Sequence, residues 1–101
     1  MTDLEMTRLC AEAMGIAIRE VSQNRPDCTL RLVSTGDNYW PIGDDAQAMV
    51  LVKKFNIGWD KEGAGEWHIA LRDGEKMFWA HDNDLNRAIC VCVANMQKEK
   101  P

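Results

Sequence analysis

Cys90 and Cys92 are the thiols whose spacing comes nearest to a metal-ligand pair, with Cys10, Cys28, His68 and His81 as the remaining soft donors. Their chemistry depends on the element that carries them. On a helix, residues two apart point about 200° away from each other, so the two thiols cannot both face one ion. Neither C-x₂-C nor H-x₃-H spacing occurs elsewhere. Cysteine is also among the most buried residues and behaves as a small hydrophobe. The thiols therefore read as reduced core residues, with no metal and no cofactor. His68 reads as a packed or partly exposed sheet histidine. Ser22 and Ser34 stand alone, outside any nucleophile elbow. Gly63-Ala64-Gly65 resembles half of a phosphate loop but lacks the GK[ST] ending and is flanked by Glu62 and Glu66, which repel phosphate. Most acids fall in turns and caps, where structure already accounts for them. The expectation is a protein without catalytic residues.

The elements that would position these groups are legible in outline. Thr2-Asp3-Leu4-Glu5 has the form of a capping box, and Gly15 suits the closing position of the helix it opens. Residues 16–21 fit either a strand or further helix. Gln23 to Asp27 reads as a loop, because Pro26 disfavours helix before it. Leu30 and Leu32 alternate with Arg31 and Val33 as a short strand does, and Thr35 to Asn38 is turn chemistry. Gly43 or Asp44 caps a second helix with a buried stripe at Ala48, Leu51, Val52 and Phe55, and Asn56 can close it. A strand over 57–61 and a Gly-rich turn follow.

Trp67 to Leu71 and Met77 to Ala80 then form a hairpin. With Asp73-Gly74 as a type I′ loop, 72 pairs with 75, 71 with 76, 69 with 78 and 68 with 79. One face carries Trp67, Ile69, Leu71, Phe78 and Ala80; the other carries His68, Ala70, Met77 and Trp79. Both faces are substantially apolar, which predicts helices on both sides of the sheet. Trp59, Trp67 and Trp79 are accordingly expected in the core. A last helix, capped within 82–84, repeats Leu85, Ala88, Ile89, Cys92 and Met96 at helical spacing. The predicted class is α+β: an α/β/α sandwich of three helices and a three- to four-stranded, mainly antiparallel sheet, in one domain over 1–101.

The 101 residues are 46% hydrophobic and 28% charged, ordinary for a globular chain with one core. The net charge of −4 argues against phosphate-backbone binding. Residues 37–84 hold ten acids against five bases, a local net of −5. No apolar run is long enough to span a membrane, and the start has no basic n-region, so a cytoplasmic location is expected.

Several pieces in order resemble the phage ABA-sandwich domain, a family of small phage and prophage proteins. They are Ala11-Glu12-Ala13-Met14-Gly15, Tyr39-Trp40-Pro41, Asp44-Asp45-Ala46-x-Ala48, Trp67 and Ala88-Ile89-Cys90. Ile42 departs from that pattern, which has a polar residue after the proline. The resemblance implies an α/β/α sandwich and a phage origin, and it brings no catalytic residues.

The functional expectation is a non-enzymatic protein that binds and modulates a host protein, with an anti-defence inhibitor as one form of that role. Tyr39 and Trp40 offer hot-spot chemistry. The acids Asp60, Glu62, Glu66, Asp73 and Glu75 offer complementarity to a basic partner. The alternatives are a structural or regulatory homo-oligomer, with a homodimer as its simplest form, and a binder of phage or host signalling nucleotides.

Overall fold

The computed structural model describes residues 1–21, 29–62 and 65–100. The loop read at 23–27, Ser22, Cys28 and the Gly63-Ala64 pair lie outside the described residues. The elements are α1 (Asp3–Met14), β1 (Ile18–Val21), β2 (Thr29–Leu32), α2 (Asp45–Phe55), β3 (Gly58–Glu62), β4 (Glu66–Asp73), β5 (Lys76–Asp82) and α3 (Leu85–Lys98). The class is α+β, as expected. The strands form an antiparallel pair, β1–β2, and a separate antiparallel sheet in the order β3–β4–β5.

Side-chain caps fix the helix ends. Thr2 accepts from the Glu5 amide at 3.1 Å, Asp44 from the Gln47 amide at 3.1 Å and Asp84 from the Asn86 amide at 3.1 Å. Each satisfies an amide that the first turn leaves without a carbonyl. Asn56 closes α2 in the left-handed conformation, φ 53°.

Helix α3 is the hub. It buries Ala88, Ile89, Cys90, Cys92, Val93, Ala94 and Met96, so it is apolar around most of its circumference, as a helix surrounded by protein must be. It packs against α1, α2, β4 and β5. The sheet contributes Ile69 and Leu71, with Phe78 and Ala80 partly buried beside them. Met6, Cys10 and Ala11 come from α1, Ala48 and Leu51 from α2, and Tyr39, Ile42 and Ile57 from the connections.

Two expectations about the sheet are corrected. The hairpin loop is Gly74-Glu75, not Asp73-Gly74: Asp73 pairs with Lys76, Leu71 with Phe78, Ile69 with Ala80 and His68 with His81. Gly74 takes φ +65° at the first loop position while Glu75 stays at negative φ, which rules out a type I′ turn. The shift is two residues, so each side chain keeps its face.

The second correction concerns cover. Helices do not lie on both faces. The buried side of α1 is spent on α3 and β2, leaving the face of His68, Ala70, Arg72, Met77, Trp79 and His81 without a helix among the described residues. Trp79 is 67% exposed and Trp59 45% exposed, so of the three tryptophans expected in the core only Trp67 is even partly buried.

Candidate interaction surface

The thiols take up the geometry their helix dictates. Cys90 faces α1, where the Cys10 Sγ donates to the Cys90 carbonyl at 3.6 Å. Cys92 faces the sheet and donates to the Phe78 carbonyl at 3.4 Å. Hydrogen bonding with the Cys10 thiol, then burial, raises the Cys90 pKa far above its ordinary value. Burial pushes the Cys92 thiol up to about 11. Burial, reinforced by Cys10 and Cys90, likewise raises the Tyr39 phenol. A thiol held protonated and out of solvent is a poor nucleophile and a poor metal ligand. Among the described residues no group of three or more His, Cys, Asp or Glu side chains is arranged to hold a metal ion. Nor is any helix among them long and apolar enough to cross a membrane.

The residues singled out for partner contact are scattered. Tyr39 is only 5% exposed and belongs to the core, whereas Trp40 turns outward at 54%. The Trp40 ring lies over Gly43, where an added Cβ would meet it at 2.8 Å. The Trp40 amide donates to Gln47 Oε1 at 2.7 Å, which ties the approach to α2. Asp60 and Glu66 stand on the uncovered face of the sheet, Asp60 across from His68. Glu62 ends β3 opposite Glu66; its side chain lies outside what is described. Asp73 and Glu75 sit at the far end of the β4–β5 hairpin. Glu66 and Asp73 are the two ends of an eight-residue strand, roughly 23 Å apart by strand rise. The acids therefore make no single patch.

What the structure brings together instead is the uncovered sheet face. The rings of His68 and His81 stack at 5.9 Å with 27° between planes. Glu66 Oε2 lies 3.1 Å from His81 Nδ1. Arg72 Nε donates to Met77 Sδ at 3.5 Å. Trp79 sits opposite Ala70, a small residue that leaves its ring standing clear. The result is an aromatic and thioether surface bordered by Asp60, Glu66 and Arg72. Among the described residues it holds no nucleophile–base pair. The pattern held a signal for this. His68, Arg72 and His81 alternate with the buried positions, so the face of Trp79 is the more polar one.

No protein-family model, curated protein or solved structure matches this chain.

Proposed function

We propose that this chain is a non-enzymatic, phage- or prophage-encoded protein that binds and modulates a host protein in the host cytoplasm, a defence complex being the target class, through the uncovered face of β3–β4–β5. The observation that carries the reading is Trp79, 67% exposed on the uncovered face at edge strand β5, next to Met77 and Ala70. Tryptophan is among the side chains whose loss most often costs binding energy at an interface. Asp60 and Glu66 at the border of the same face, and the net charge of −4, favour a partner with a basic rim and a salt-dependent association rate.

The test is affinity capture from host lysate with the wild type, Trp79→Ala and Trp40→Ala, read by quantitative mass spectrometry. The expected result is a specific protein retained by the wild type and by Trp40→Ala and lost with Trp79→Ala. A hot-spot loss of about 2 kcal/mol corresponds to roughly 30-fold in affinity. An exposed side chain changes stability by no more than about 0.5 kcal/mol, so melting temperature should barely move. If Trp40→Ala alone releases the protein, the contact lies at the entrance to α2 and the sheet-face reading is wrong.

A further inference from the structure

The two edges of the three-stranded sheet are not equivalent. Backbone hydrogen bonding alternates along an antiparallel ladder. The two-residue loop closes with a hydrogen-bonded pair, Asp73 and Lys76, so the groups of Lys76, Phe78, Ala80 and Asp82 point toward β4. The N–H and C=O groups of Met77, Trp79 and His81 therefore point away from the sheet. Apart from the strand ladder, no backbone bond among the described residues uses them. The same alternation turns Trp59 and Lys61 outward on β3, but there one ladder amide is already taken: the Lys61 amide donates to Asp60 Oδ1 at 2.8 Å. An edge strand with free ladder groups is a template for another strand unless it is blunted. Among the described residues only β3 shows such blunting.

The sequence of β5, Lys76-Met77-Phe78-Trp79-Ala80-His81-Asp82, fits its own reverse. Antiparallel pairing of two copies centred on Trp79 sets Lys76 against Asp82, Met77 against His81, Phe78 against Ala80 and Trp79 against Trp79. That register joins opposite charges at both ends and a large side chain to a small one between them. It also matches parity: Met77, Trp79 and His81, whose backbone groups point outward, all pair with one another, so every outward N–H and C=O finds a partner. A register centred on Met77 or His81 would run β5 into a turn and forfeit the charge match. In the single chain Lys76 Nζ lies 3.4 Å from Glu99 and Asp82 Oδ2 lies 3.7 Å from Arg87 Nε. The Lys76–Glu99 contact is exposed and weak, so Lys76 is available to the second copy at little cost.

The geometry points to a symmetric dimer in which β5 pairs with β5 of a second copy of this chain, giving one continuous six-stranded antiparallel sheet. The interface is isologous, as a two-fold axis through Trp79 requires. The axis stands perpendicular to the sheet, so both α3 helices fall on one side and both uncovered faces join on the other. Two Trp79 rings then lie side by side at the centre of a doubled platform. The dimer does not depend on the host partner proposed above, and each can fail without the other.

Light scattering and paired cysteines test it, in a Cys28→Ser background. Met77 and His81 lie roughly 13 Å apart along one strand, too far for a bond within the chain. Across the proposed register each faces the other at a Cα separation of about 5.5 Å, within disulfide reach. The wild type should scatter as particles of twice 11.5 kDa. Under mild oxidation Met77→Cys/His81→Cys should become a covalent dimer, while neither single variant should, since each then faces a native Met or His. Trp79→Pro, which removes the central amide, should scatter as a monomer with its circular dichroism retained. Wild-type particles of 11.5 kDa at every concentration overturn the proposal. So does a dimer in which the double variant fails to cross-link, or cross-links no better than the single ones.

Discussion

Cys90 and Cys92 are two residues apart in the chain and face opposite sides of α3, one toward Cys10 and the other toward the Phe78 carbonyl. That divergence follows from the helical turn alone, which is why it was legible before any contact was known. Its consequence is a pH dependence with a definite sign. Folding raises the Cys92 pKa from 9.0 to about 11, and Cys90 and Tyr39 shift in the same direction. A group raised by folding contributes its full stability below its unfolded pKa. It loses that stability as pH rises toward the folded value, because the unfolded thiol gives up its proton first. Each such group costs about 1.4 kcal/mol per pH unit in that window. Melting temperature should therefore hold steady from pH 6 to 8 and fall between 9 and 11, and Cys92→Ala should flatten part of the fall. A wild-type melting temperature unchanged to pH 11 would show that these groups are not buried. The tryptophans were not legible in the same way. An indole is apolar on either face of a strand, so Trp79 and Trp59 read as core until the packing shows what lies over them.

At the scale of elements, the signals written into the backbone were the dependable ones. Thr2, Asp44 and Asp84 cap their helices, and Gly15 and Asn56 close two of them in the left-handed conformation. The hairpin was harder because Asp73-Gly74 and Gly74-Glu75 both give the glycine a place at positive φ. They differ by two residues in register, which preserves the face of every side chain but changes who stands opposite whom. His68 thus meets His81 rather than Trp79. Two substitutions distinguish the loops. Gly74→Ala places a Cβ at φ +65° and should cost about 1–2 kcal/mol. Asp73→Val should stay within about 0.5 kcal/mol, since residue 73 is an exposed strand position that suits a β-branched side chain. Chemical denaturation of the two variants decides the matter. An Asp73→Val cost as large as that of Gly74→Ala would mean that residue 73 is itself in the turn.

For the whole molecule, the arrangement turns on how three helices are spent. The apolar stripes of α1 and α2 identify them as packing elements but do not say against what. Both pack on α3, which accepts neighbours around most of its surface. No helix is then left for the second face of β3–β4–β5, and a sheet that looked two-faced from its sequence is open on one side. The candidate acids are divided by the same geometry, with Asp60 and Glu66 on that face and Asp73 and Glu75 at the far turn. The open face is the central claim, and oxidative footprinting of the dilute protein with mass spectrometry measures it directly. Trp79, at 67% exposed, and Trp40, at 54%, should be oxidised fastest and the partly buried Trp67 slowest. Trp79 reacting as slowly as Trp67 would mean that something covers this face, and would contradict the account.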